Sequence, residues 1–227
     1  YYFCSEIKGL SRLVDKIEIF KPATYMELNY NNGKLINKKI EEYYKYNYEM
    51  INLTEKQHMI NIKEILIQSV KKRLQSDRPL CCLLSGGLDS SLISSITSRL
   101  LKETNNKLYT FSIGMQGSTD NVYATKVAEY IKSEHTVIWI TKEESLKAIY
   151  DVIYATETYD ITTIRASVGQ YLISKYISNN TDYKVILSGD GSDEVASGYI
   201  YNYNAPSLKD LQNEAIKRIK EIHIYYG

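Results

Sequence analysis

Cysteine, tryptophan and phenylalanine are scarce in this chain, and none of its apolar runs is long. Three cysteines, Cys4, Cys81 and Cys82, cannot build a disulfide framework. Two of them are neighbours in an apolar run, where they serve as small buried groups. That suits a reducing compartment, so a cytoplasmic location is expected. The apolar runs fall far short of the roughly 20 residues that cross a bilayer, so no membrane association is expected. The first residues, Tyr1 to Glu6, have neither a basic region nor an apolar signal core. A net charge of +1 leaves no electrostatic footprint for nucleic acid or an anionic membrane. His58, His135 and His223 are scattered without metal-ligand spacing and read as structural. Tyrosine alone is abundant among the aromatics, at 22 against 3 phenylalanines and 1 tryptophan. It carries no chemistry we can assign. The 227 residues allow one domain and part of another.

What is present centres on Ser85-Gly86-Gly87-Leu88-Asp89-Ser90-Ser91. The apolar run Leu80 to Leu84 predicts a strand before it, and Leu92 to Leu101 predicts a helix after it. Glycines let backbone N–H groups approach an anion, and the helix start points its unpaired N–H groups and positive dipole end at the same place. Asp89 would repel phosphate unless a divalent cation stands between them. No lysine lies between Arg78 and Lys102, so this is not the P-loop of kinases and GTPases. A glycine-serine turn between strand and helix is also common in α/β proteins without any ligand. The offsets of Asp89, Ser90 and Ser91 resemble the pyrophosphate loop (PP-loop), SGGxDS, of ATP pyrophosphatases.

Earlier in the chain, residues 1–40 read as β structure. Lys16 to Phe20 alternates as a half-buried strand does, and Asn32-Gly33 predicts a hairpin between Thr24–Tyr30 and Lys34–Ile40. Residues 41–52 mark a boundary. A helix is expected over Glu55–Gln75, with Met59, Ile62, Leu66, Val70 and Leu74 inward. Strands follow at Leu108–Ile113, Thr136–Ile140 and Lys184–Leu187. Helices are expected over Asn121–Lys132, from the capping box Thr141/Glu144 to about Ala155, and over Ile164–Ser178. A last helix is capped by Ser207 and turns Leu208, Leu211, Ala215, Ile219 and Ile222 inward. Strands alternating with helices imply an α/β domain with a doubly wound, mostly parallel sheet, whose ligands bind beyond the carboxyl ends of the strands.

A second loop, Ser188-Gly189-Asp190-Gly191-Ser192-Asp193-Glu194, repeats the chemistry of the first. Its three carboxylates would repel one another without a cation or basic group. It also fits a solvated acidic helix start. Between the loops, Arg165 offers a planar fork for a carboxylate or phosphate, and Thr162 and Thr163 can orient a small polar ligand. The same residues fit a capped helix start with a surface arginine.

Taken together, the chain resembles the glutamine-dependent asparagine synthetases, the eukaryotic-type branch above all. The likeness runs through Phe3-Cys4-Ser5-Glu6, Cys82 to Leu92, Phe111 to Met115, Glu157 to Gly169, Ser188 to Glu194 and Gly198 to Tyr201. It implies that residues 1–52 are the end of an Ntn-type glutaminase domain with its linker, and residues 53–227 an incomplete ATP-pyrophosphatase domain. It implies a carbon–nitrogen ligase for asparagine biosynthesis, using aspartate, ATP with Mg²⁺, and glutamine or ammonia. By resemblance Ser85, Gly86, Gly87, Asp89, Ser90 and Ser91 hold pyrophosphate, and main chain at Leu84 and Ile113 meets adenosine. Ser188 and Gly189 line the nucleotide site, Asp89 and Asp193 serve Mg²⁺, and Thr162, Thr163 and Arg165 meet aspartate. Asp190 and Arg165 are the candidate catalytic residues, with Asp190 standing where close relatives have Glu. The family's cysteine nucleophile and a late lysine have no counterpart in these residues, since Cys4 lies in a different motif. This chain alone is therefore expected to be nearly inactive. A β-lactam synthetase-like acceptor, a non-catalytic nucleotide-binding role and a homodimer all stay open.

Overall fold

The structure, a computed structural model, describes residues 2–45, 47–49 and 51–225, the last four by their backbone only. The chain divides into two compact units, Tyr1–Asn52 with Lys220–Gly227, and Leu53–Ile219. In the first, β1 (Thr24–Asn31) and β2 (Lys34–Glu42) pair antiparallel. They turn through Asn32 and Gly33 at φ 49° and 74°, and both values are positive as a two-residue hairpin turn requires. No strand forms at Lys16–Phe20, contrary to the alternation there. Among the described residues β1 and β2 pair only with each other, and a strand without a partner leaves its backbone groups to water.

The second unit runs α1 (Glu55–Arg73), β3 (Leu80–Leu83), α2 (Leu88–Lys102), β4 (Tyr109–Gly114), α3 (Thr119–Ile131) and β5 (Glu134–Trp139). It continues with α4 (Lys142–Thr156), α5 (Ile161–Asn180), β6 (Val185–Leu187), the short α6 (Ser192–Ala196) and the part of α7 (Leu208–Tyr225) up to Ile219. The sheet order is β5-β4-β3-β6 and every pairing is parallel. The chain steps outward from β3 through β4 to β5, then returns to the other side of β3. The crevice beyond the carboxyl ends of β3 and β6 is therefore a topological switch point.

Alternation across the sheet explains the adjacent cysteines. Cys81 packs with Phe111, Ile138, Ile173 and Ile177 on the α5 face. Cys82 packs with Leu108, Ile131 and Leu187 on the other face, against Ile93 and Leu101 of α2 and Val127 of α3. Successive strand residues point to opposite faces, so one dipeptide anchors both cores. Burial pushes the Cys81 thiol to about 12 and the Cys82 thiol to about 11, so neither is a thiolate at neutral pH.

Two helices differ from expectation. Along α1 only Val70 of the predicted inward line is buried, and Met59 and Ile62 are exposed at 63% and 65%. The N-terminal half of α1 thus has no covering layer among the described residues. Leu208, at the first position of α7, is also exposed, and Ile222 lies outside the residues whose side chains are described. The capping box at Thr141 and Glu144 forms as expected.

A polar seam joins β4 to β5. The Thr110 hydroxyl lies 2.9 Å from His135 Nδ1 and 2.9 Å from Ser133 Oγ, and Ser112 Oγ lies 3.1 Å from His135 Nε2. Burial lowers the His135 pKa below its ordinary 6.5, and a hydrogen bond from the imidazole to the Thr110 backbone opposes this in part. The unfolded chain then binds the proton more readily than the folded one. The contribution of neutral His135 is complete above pH 6.5 and is lost as pH falls through its lower folded value. Urea unfolding between pH 7.5 and 5 is expected to show this acid loss, and His135→Gln is expected to flatten it. An unchanged slope would remove His135 as its source.

Gly86 has φ +84°, and a Cβ there would stand 2.5 Å from the Ala124 backbone nitrogen in α3. Gly191 has φ +89° with nothing within 4 Å. Gly191→Ala is expected to cost about 1–2 kcal/mol for the left-handed backbone alone. Gly86→Ala adds overpacking of about 1–3 kcal/mol. Equal losses on urea denaturation would show that α3 does not press on the loop.

Candidate nucleotide site

The glycine loop after β3 is shorter than the sequence suggests, because α2 begins at Leu88 with Gly87 as an extended N-cap. Asp89, Ser90 and Ser91 therefore stand in the helix's first turn, where unpaired N–H groups gather. Ser85 and Ser90 fix the loop from within. Their hydroxyls lie 2.9 Å apart, Ser85 N–H donates to Ser90 Oγ at 3.2 Å, and Gly87 N–H donates to Ser85 Oγ at 3.3 Å. These bonds hold the shape of the cradle from within the loop.

The second loop leaves β6 and rests on the first. A Cβ at Gly189 would stand 2.7 Å from Ser90 N and 2.8 Å from the Asp89 carbonyl carbon. Only glycine permits this approach. Ser192 Oγ donates to the Gly189 carbonyl at 3.0 Å and closes the turn. A third wall comes from one face of α5, where Ala166, Gly169, Gln170 and Ile173 recur at helical spacing.

These walls enclose a cavity of about 440 Å³, within the range of small-ligand sites. Leu83, Leu84, Phe111, Ile113 and Ile173 give it an apolar side, and the two loops give it a polar side. Of the predicted residues, Leu84, Ser85, Gly87, Asp89, Ser90, Ile113, Ser188, Gly189, Asp190 and Asp193 line it. Gly86 faces α3 instead. Ser91 Oγ is buried with no hydrogen-bond partner among the described residues.

Thr162, Thr163 and Arg165 do not line the cavity. They belong to the opening turns of α5, which starts at Ile161, three residues before the predicted helix. The cause is Asp160, whose carboxylate caps the helix by accepting from Thr163 N–H at 2.7 Å. That bond holds the Asp160 pKa below the ordinary carboxylate value. Thr162 lies one turn before Ala166, so it continues the stripe that lines the cavity. Arg165 is exposed and has no ion-pair partner among the described residues.

Sequence reasoning missed Asp120 and Gln170, both of which line the cavity. Asp120 sits in the first turn of α3, just after the informative edge of β4, so its position carried a signal. Gln170 carried none, since only the packing of α5 brings it to the site.

Asp89, Asp120, Asp190, Asp193 and Glu194 line the cavity, and its lining among the described residues holds no lysine, arginine or histidine. Three of these carboxylates are held. Asp120 accepts from the Thr119 hydroxyl at 3.4 Å, Glu194 from the Tyr199 hydroxyl at 2.5 Å, and both oxygens of Asp190 from Gln170. The carboxylates of Asp89 and Asp193 accept no hydrogen bond among the described residues. No group of three or more His, Cys, Asp or Glu is arranged among those residues to hold a metal. The donor set therefore suits a magnesium ion arriving with phosphates, which needs only one or two carboxylates and completes its shell with phosphate oxygen and water. It does not suit a resident metal in an all-protein cage. No described helix is long and apolar enough to cross a membrane.

The asparagine synthase family matches residues 61–225. A glutamine-hydrolyzing asparagine synthetase from Gallus gallus is 41% identical over 243 residues, covering 98% of this chain and 43% of the relative. One from Homo sapiens is 42% identical with the same coverage of each. The chain thus spans less than half the length of these relatives. Among solved structures, an NH3-dependent NAD synthetase from Campylobacter jejuni has a TM-score of 0.43 at 19% identity, covering 62% of this chain and 60% of its own. On the family match and these identities, the chain belongs to the asparagine synthase family.

Proposed function

We propose that the cavity binds Mg-ATP and that the chain supplies the ATP-dependent half of asparagine synthesis. The observation that carries this is the meeting of two glycine loops and the α2 N-terminus at the switch point of a parallel sheet. Relatives at 41% and 42% identity that are named glutamine-hydrolyzing asparagine synthetases support the choice of reaction. The phosphates lie on the loop side, met by N–H groups from Ser85 to Ser91 and from Ser188 and Gly189. The adenosine lies on the apolar side, by Leu84 and Ile113. Magnesium would be held by Asp89 and Asp193, and when bound it offsets negative charge on the phosphates. Aspartate lies toward the opening turns of α5, where Thr162 and Thr163 orient it and Arg165 pairs with a carboxylate.

In the first step an oxygen of the aspartate β-carboxylate forms a bond to the α-phosphorus, and the bond from that phosphorus to the bridging oxygen breaks. Pyrophosphate leaves with the electron pair. The chain's part is to stabilise charge on the phosphoryl oxygens with fixed N–H donors. In the second step ammonia attacks the carbonyl carbon of the aspartyl-adenylate, a proton leaves the nitrogen, and AMP departs. Glutamine is the ammonia source in the named relatives, and we extend that to the intact enzyme here. Three free thiols, two of them buried, support a cytoplasmic setting.

Asp89→Asn keeps the shape of the first turn of α2 and removes its charge. Titration with Mg-ATP is expected to show at least about tenfold weaker binding, the scale of one charge-assisted contact. Equal affinities would count against the site. Aspartate- and ammonia-dependent release of pyrophosphate with matching AMP tests the acceptor, and release with a different amino acid instead would change it.

A further inference from the structure

We propose that Gln170 is a positioning residue that fixes the Asp190 carboxylate against α5, at one place on the wall of the cavity. The proposal rests on the Mg-ATP reading of the cavity. Its basis is one contact between two walls. Gln170 Nε2 lies 3.3 Å from Asp190 Oδ1 and 3.2 Å from Oδ2. A carboxylate only accepts, so the amide must present its NH₂ group to it. The near-equal distances make the contact a shared one, with one amide nitrogen facing both carboxylate oxygens.

The surroundings explain why such a hold matters. Asp190 sits between Gly189, which presses on α2, and Gly191, which has φ +89° and open space around it. Its backbone N–H donates to Ser188 Oγ at 3.4 Å. Released from Gln170, the side chain could swing over the loop whose N–H groups face the cavity. The cavity has no basic side chain among its described lining residues to offset another negative charge. A carboxylate free to swing over that loop comes closer to a triphosphate, and so repels it more, than one tied to α5. Glu194 is held comparably by Tyr199, while Asp89 and Asp193 stay unclaimed. The structure thus sorts its acidic residues into those fixed by protein donors and those left for a cation.

Gln170→Met keeps the length of the side chain and removes the donor. Both residues are solvent-facing, so these variants are expected to fold. Titration with Mg-ATP is expected to show a roughly three- to tenfold loss of affinity for Gln170→Met. In the Asp190→Asn background the same change is expected to cost less than about twofold, because no charge remains to be held. A purely structural role would give the same loss in both backgrounds, and that result overturns the proposal, as does no loss in either. The contact is also read without nucleotide, from the ¹⁵N–¹H signals of the Gln170 side-chain amide. They are expected to shift on Asp190→Asn, and unmoved signals overturn the contact. A chain that shows this shift yet binds no Mg-ATP contradicts the nucleotide reading, and with it the purpose of the hold, while upholding the contact itself.

Discussion

The site depends on how closely Gly189 lies against the first turn of α2. A single added carbon at Gly189 would stand 2.7 Å from the Ser90 nitrogen, so the two loops share one surface. That contact turns two separate strand-to-helix connections into one cradle. It exists because β3 and β6 are neighbours, paired through Leu80, Cys81 and Cys82 with Val185, Ile186 and Leu187. The neighbourhood in turn depends on the chain crossing back over β3. The two-sided packing of Cys81 and Cys82 holds β3 at the centre of both cores.

Two opposed electrostatic features meet at the cradle. Helix α2 directs the positive end of its dipole and its free N–H groups at the cavity, which favours an anion. The five lining carboxylates disfavour one. The conflict resolves if the anion carries its own cation, and the two carboxylates that accept no hydrogen bond among the described residues follow different loops, Asp89 in α2 after the first and Asp193 in α6 after the second. Phosphate oxygens and water would supply the remaining ligands, which is how magnesium is usually bound beside a nucleotide.

Much of this was legible in the sequence, for local reasons. The offsets in Ser85 to Ser91 name a strand, a turn and a helix start together. Asn32-Gly33 names a hairpin, and Thr141 with Glu144 names a helix cap. What was not legible is tertiary. The opening of α5 was placed late because Asp160, not a residue nearer Ile164, captures the Thr163 N–H. The alternation of Lys16–Phe20 resembles a strand but finds no partner. Periodicity assigned Met59 and Ile62 to a core that the described residues do not provide. Gln170 reaches the site only through the register of α5 on the sheet, which no local pattern reports.

The central claim is that one cavity, between the two loops and the end of β4, takes the nucleotide. Amide chemical-shift mapping with Mg²⁺ and an ATP analogue that carries a methylene between its α and β phosphorus atoms tests it most directly. Shifts are predicted at Ser85–Ser91, at Ile113 and at Ser188–Asp193. Shifts centred instead on the groove beside Trp139 and Tyr176, or absent from both loops, would contradict the account.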